Sequence, residues 1–159
     1  MDRAELLRNI NRWIFASVTE HFNNNILDLH VYVEGFERTT RNVTDFVEIR
    51  MNGPDVREVS RNYFCMYVEF NALIQSTVVD SDKHRVHTDV GKVTEAFYKA
   101  IPVYKYGDGP DDDDSFLGCL ILLQEGNDVL TIAHHGRIAI DSPLMQATVE
   151  GHYEMYLDL

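Results

Sequence analysis

Basic residues are scarce in this chain: 14 Lys and Arg stand against 26 Asp and Glu, a formal net charge of −12 over 159 residues. Proteins that grip nucleic acid neutralise its phosphates with Lys and Arg, and this balance argues against that class. It suits a surface that repels DNA, or one that simply stays soluble. Cysteine is scarcer still. Cys65 and Cys119 each sit in an apolar segment, and neither belongs to a CxxC pattern. They are expected to be small reduced core residues rather than parts of a disulfide framework. Long apolar runs are also missing. The longest unbroken aliphatic stretch is Leu120 to Leu123, far below the ~20 residues a membrane span requires. The opening Met1-Asp2-Arg3-Ala4-Glu5-Leu6 mixes charges and lacks the apolar centre of a secretory signal. Synthesis in a reducing cytoplasm, without a membrane partner, is the expectation. The sequon Asn42-Val43-Thr44 then carries no glycan.

The linear signatures of catalysis are absent as well. The chain has no GxGxxG, no Walker lysine motif, no GxSxG elbow and no HExxH. Its local histidine clusters are His84-Arg85-Val86-His87 and His134-His135. Neighbouring residues of a strand point to opposite faces, so His134 and His135 cannot share an ion unless the chain turns there. The run Asp111-Asp112-Asp113-Asp114 lacks the alternate spacing and central Gly of a calcium loop, and reads as a solvated loop tip. Glu48, Glu69, Glu150 and Glu154 would be able to pair across a sheet as an acid–base couple, but solvent-facing alternation accounts for each of them more simply. The sequence therefore nominates no catalytic residue, no metal ligand set and no cofactor.

What is present is a strong pattern of periods. At 159 residues the chain is the size of one domain, residues 1–159, which should bury roughly 68–70% of its unfolded surface. Leu7, Ile10, Ile14, Val18 and Phe22 recur at helical spacing and predict an amphipathic helix over about Arg3 to Phe22, closed by Asn23-Asn24-Asn25. Val90, Val93, Phe97 and Ile101 mark a second helix, with Thr88 as its N-cap and Pro102 blocking continuation. Elsewhere the period is two. Leu29 to Val33 and Val47 to Met51 read as strands, with Asn52-Gly53-Pro54-Asp55 as a turn. Val103 to Tyr106 reads as a short strand, and Phe116 to Gln124 pairs with Val129 to Ala133 as a hairpin through Glu125-Gly126-Asn127-Asp128. Arg137 to Ile140 is a further short strand, and the alternation from Met145 to the end predicts a closing strand. Strands grouped around two helices indicate an α+β domain with a mainly antiparallel sheet.

One segment exceeds ordinary strand length. From Asn62 to Val78, Phe64, Met66, Val68, Phe70, Ala72 and Ile74 share one face, while Tyr63, Tyr67 and Leu73 lie on the other. A continuous strand of that length spans on the order of 50 Å, against 5–6 residues or so for a typical strand. It is expected either to bend or to extend as a long hairpin or arm. Apolar side chains on both faces point to a covering partner. A second copy in a head-to-tail ring is the economical one; the alternative is that the segment is a bent central strand of a monomer.

A leading helix and a long strand pair, Asp45-Phe46-Val47-Glu48-Ile49-Arg50 with Tyr63-Phe64-Cys65-Met66-Tyr67-Val68-Glu69-Phe70, begin the layout. The middle helix from Asp89-Val90-Gly91 and a closing terminal strand complete it. This order resembles the tail terminator (tail completion) proteins of tailed bacteriophages. The resemblance implies a non-enzymatic virion protein made in the host cytoplasm. It would form a homohexameric ring that caps the tail tube protein and joins it to the head connector at the neck, with DNA passing through. On that view Tyr63, Tyr67 and Leu73 serve the subunit interface, while Glu48 and Glu69 are acidic candidates for the lumen. A tail tube subunit or a head-completion protein is the alternative within the class. Outside it stands a small α+β enzyme or ligand-binding domain with its site in the sheet's concavity.

Overall fold

A computed structural model describes residues 1–33, 43–106, 116–124 and 129–159. The elements run α1 (Arg3–Asn25), β1 (His30–Val33), β2 (Phe46–Ser60), β3 (Tyr63–Thr77), α2 (Arg85–Tyr98), β4 (Ile101–Tyr104), β5 (Phe116–Leu122), β6 (Thr131–Arg137) and β7 (Leu144–Asp158). The fold is α+β, as the periods imply. One curled sheet has the strand order β1-β2-β3-β7-β5-β4, and β6 also pairs with β7. Among the described residues only β1 and β2 run parallel, and every other strand pairing is antiparallel. The tetra-aspartate run, Asn42 of the sequon and the Glu125–Asp128 turn residues lie outside the described residues.

The long strand is real, and its surroundings differ from a projecting arm. β3 pairs with β2 from Tyr63 to Gln75 and with β7 from Tyr63 to Thr77. Its backbone groups are thus engaged on both sides, and it is a central strand rather than an edge. The long hairpin is β2–β3, joined by only Arg61 and Asn62, with Asn62 left-handed at φ 64°. The Asn52–Asp55 segment is not that turn. β2 runs straight through it with a register shift, making a bulge in the strand. Gly53 is required there: its φ is +104°, and a Cβ would stand 2.8 Å from the Tyr67 carbonyl oxygen.

Alternation sets the two faces. Phe64, Met66, Val68, Phe70, Ala72 and Ile74 are buried inward, and from β7 so are Ala147, Val149, Tyr153, Met155 and Leu157. Helix α1 packs against β1 and β2 on one side and β4 on the other, so the sheet curls around it. Its buried stripe is Leu6, Ile10, Trp13, Ile14, Val18 and Phe22; Leu7 lies off the stripe and is 49% exposed. Phe22 makes edge and tilted ring contacts with Phe70 and Phe97. Tyr153 donates a 2.6 Å hydrogen bond to the Phe97 carbonyl, and this buried bond ties β7 to α2. Burying each such side chain contributes about 1.5–3 kcal/mol, so the concave side of the sheet is the core itself.

Helix boundaries shift from the expected ones for local reasons. Asp2 caps α1, its carboxylate accepting from the Glu5 N–H at 2.7 Å. The left-handed residue after α1 is Asp28, not an asparagine of the Asn23–Asn25 run. α2 begins at Arg85, so Thr88 lies in its first turn rather than at the cap. It ends at Tyr98, and Ile101 belongs to β4, where it pairs with Leu120 and is equally buried. β5 and β6 do not form the expected hairpin with each other. They pair in series along the edge of β7, at Glu154–Tyr153 and then at Glu150–Met145. Arg137 closes β6, and Ile138 to Ile140 form a turn instead of a strand. Both cysteines are free, Cys65 buried and Cys119 half-buried.

Candidate assembly face

Both helices pack on the inner side of the sheet, which leaves the outer, convex side as a broad face. Register assigns its residues. On β3 they are Tyr63, Cys65, Tyr67, Glu69, Asn71 and Leu73; opposite them on β7 stand Asp158, Tyr156, Glu154, His152, Glu150 and Thr148. β2 contributes Arg57 beside Cys65, Asp55 beside Tyr67, Asn52 beside Glu69, Arg50 beside Asn71 and Glu48 beside Leu73. All five residues singled out from the sequence, Tyr63, Tyr67, Leu73, Glu48 and Glu69, therefore share this single face. Tyr63, Leu73 and Glu69 are half-buried within it, and Tyr67 is 41% exposed.

Aromatic and carboxylate chemistry are interleaved here. Tyr63 stacks on Tyr156 with ring centroids 5.7 Å apart and planes 17° from parallel. Tyr156 remains 46% exposed, and Ile121 of β5, opposite Glu154, is 58% exposed. Cys65 lies beneath this layer. Hydrogen bonding with Cys65, and with the Glu154 carboxylate, raises the Tyr156 hydroxyl above its ordinary range; Cys65 acts on Tyr67 in the same direction. Both tyrosines therefore stay neutral hydrogen-bonding groups at physiological pH.

The carboxylates Glu48, Asp55, Glu69, Glu150, Glu154 and Asp158 outnumber the arginines Arg50 and Arg57 on this face. Glu48 meets Arg50 at 3.6 Å, and Glu150 meets the His152 ring at 3.4 Å. Where β2 bulges, Asn52, Asp55, Tyr67, Glu69 and His152 rim a cleft of about 210 Å³. Small-molecule pockets occupy about 300–1,000 Å³, so this cleft is undersized for that role. The concavity that an enzyme reading would use is filled by Trp13, Phe22, Phe70 and Phe97.

Sequence spacing did not foresee that the two histidine clusters meet. Inward-facing His134 on β6 reaches His87 on α2, with ring centroids 4.6 Å apart. The alternation that places His134 and His135 on opposite faces was the available signal. His135 indeed lies on the outer face, 3.0 Å from the Thr148 hydroxyl. No helix among the described residues is long and apolar enough to cross a membrane. No known protein-family model matches the chain, and no curated protein does.

Proposed function

We propose that this chain is a structural subunit that closes into a head-to-tail ring, in the manner of the phage tail terminators it resembles in layout. In that role it sits at the neck of the virion. There it caps the tail tube protein, docks to the head connector and lets DNA pass, and six copies per ring follow from the resemblance. The reading rests on one observation. Three strands of 15 residues each build a convex face that neither helix covers, and exposed tyrosines are set among its carboxylates.

The size of that face fits a subunit contact. Strands of this length run on the order of 50 Å, and three of them span about 14 Å. The product is on the order of 700 Å², close to the ~800 Å² per partner of a standard interface. An acidic face would repel an identical one in a two-fold contact, which favours a heterologous contact with a different surface of the next copy. The net charge of −12 also weakens any adhesion of a phosphate backbone passing the ring.

Light scattering and negative-stain imaging of the purified chain test this. Closed rings are the expected outcome. Long tubes would identify a tube subunit instead, and a monomer or dimer at about 100 μM overturns the assembly reading.

A further inference from the structure

His84 and His87 stand at the N-terminal end of α2, and His134 projects from the inner face of β6 beside them. The His87 and His134 ring centroids are 4.6 Å apart, and those of His84 and His87 are 6.4 Å apart. Imidazoles bound to one tetrahedral ion, at metal–nitrogen distances of about 2.0–2.1 Å, hold their centroids about 5 Å apart. The His87–His134 separation lies near that spacing, and His84 stands farther off, at 6.4 Å from His87. We propose that His84, His87 and His134 form a site for a divalent transition-metal ion of the zinc, nickel or copper class.

The chemistry of the donors points to that class. Neutral imidazole suits zinc, copper and nickel, whereas calcium and magnesium demand oxygen ligands. Among the described residues no hydrogen bond or ion pair engages the ring nitrogens of the three histidines, so no internal bond must break for them to ligate. As the side chains stand, no group of three or more His, Cys, Asp or Glu among the described residues is placed to hold an ion. All three residues are exposed, so binding requires that rotation about their side-chain bonds bring the rings to one ion, with water as the remaining ligand. Asp80 and Asp82 lie in the turn before α2, where carboxylates would offset the charge that an ion brings to the positive end of the helix dipole. A bound ion would staple α2 to β6, an edge strand whose described pairing is to β7 alone.

Calorimetric titration of the full chain with zinc sulfate and with nickel sulfate, at pH 7.5, tests the site independently of ring formation. One ion per chain should bind with micromolar Kd and raise Tm. His87→Ala and His134→Ala should each weaken binding at least about tenfold and abolish the Tm shift, with circular dichroism unchanged. His135→Ala removes the neighbouring imidazole on the other face and should leave binding intact. Absence of saturable binding at about 100 μM metal overturns the proposal. So does binding that survives the double variant His87→Ala/His134→Ala.

Discussion

Ser76 of β3 donates a buried 2.7 Å hydrogen bond to the Asp89 carboxylate of α2. Asp89 is 2% exposed, and it also faces Arg85 at 3.7 Å and Lys92 at 3.6 Å. Arg85 reaches Asp45 as well, at 3.5 Å, so one guanidinium links the start of β2 to α2. A carboxylate taken out of water is tolerated only where donors replace its hydration, and here a hydroxyl and two cations do so. Asp89→Ala should therefore cost about 2–3 kcal/mol, because it orphans the Ser76 hydroxyl and removes the shared anion. Urea unfolding measures it, and a loss below about 0.5 kcal/mol would show that the cluster adds nothing.

Stability should also depend on pH through His21. Its ring is nearly buried, with Nε2–H donating to the Ala96 carbonyl at 3.0 Å and Nδ1 facing the Asn25 amide at 3.3 Å. Burial lowers its pKa from 6.5; the Ala96 hydrogen bond opposes this in part, and Lys99 adds to the lowering. Above about pH 6.5 the ring is neutral in both states. Below it the unfolded chain takes the proton first, so stability falls as pH drops from 6.5 through the native value. Asp45 adds a separate acid step. Burial pushes its carboxyl up, but hydrogen bonds from the Thr77 N–H and the Thr44 and Thr77 hydroxyls, with Arg85 nearby, outweigh that and lower it below 3.8. Its contribution is complete above about pH 3.8 and is lost as pH falls through the native value. Urea midpoints between pH 7.5 and 5.5 should decline for the wild type and flatten in His21→Gln. Equal slopes would remove His21 as the cause.

The periodic elements were legible because a face either meets the core or does not. The inward stripes of β3 and β7 follow directly from alternation, and α2's buried Val90, Val93 and Phe97 follow from helical spacing. Turn residues misled where they serve a strand instead. Asn52-Gly53-Pro54-Asp55 has turn composition, yet the ladder continues past it because β3 holds both ends in pairing. β5 and β6 look like a hairpin in one dimension. In three, β7 is long enough to accept them one after the other. The shared face of Tyr63, Tyr67, Glu69 and Leu73 on β3 was legible by parity, and register adds Glu48 to it from β2. The strand edge that was to expose them was not legible, since a sequence does not state how many neighbours a strand has. The meeting of His87 with His134 was beyond reach for a similar reason: it joins a helix to a strand far along the chain.

The β2 bulge yields a third expectation. At Gly53 a Cβ would meet backbone, the Tyr67 oxygen at 2.8 Å and the Asp55 nitrogen at 3.2 Å, in a conformation with φ +104°. Backbone on both sides cannot move aside as a flexible side chain would. Gly136 offers the control, with φ +73° but nothing within 4 Å of the place a Cβ would take. Gly53→Ala should cost about 1–3 kcal/mol and Gly136→Ala about 1 kcal/mol. The order of the two urea midpoints is the test, and a Gly53→Ala variant at least as stable as Gly136→Ala would contradict the steric account.

Tyr67 gives the most direct probe of assembly. Its side chain is 41% exposed on the convex face, beside Asp55 on one strand and Glu154 on the other. Tyr67→Asp places a third carboxylate among them and removes an aromatic surface that a partner copy would cover. A like charge directly opposite two others in a sheet costs on the order of 1 kcal/mol, too little to unfold a domain of this size. Far-UV circular dichroism should therefore stay near wild type and the urea midpoint fall only modestly, while light scattering reports loss of the ring. Tyr67→Phe keeps the ring surface and should assemble. If Tyr67→Asp unfolds instead, the residue's service to Cys65 beneath it outweighs any contact with a neighbour. If it forms wild-type rings, the subunit contact lies on another part of the molecule.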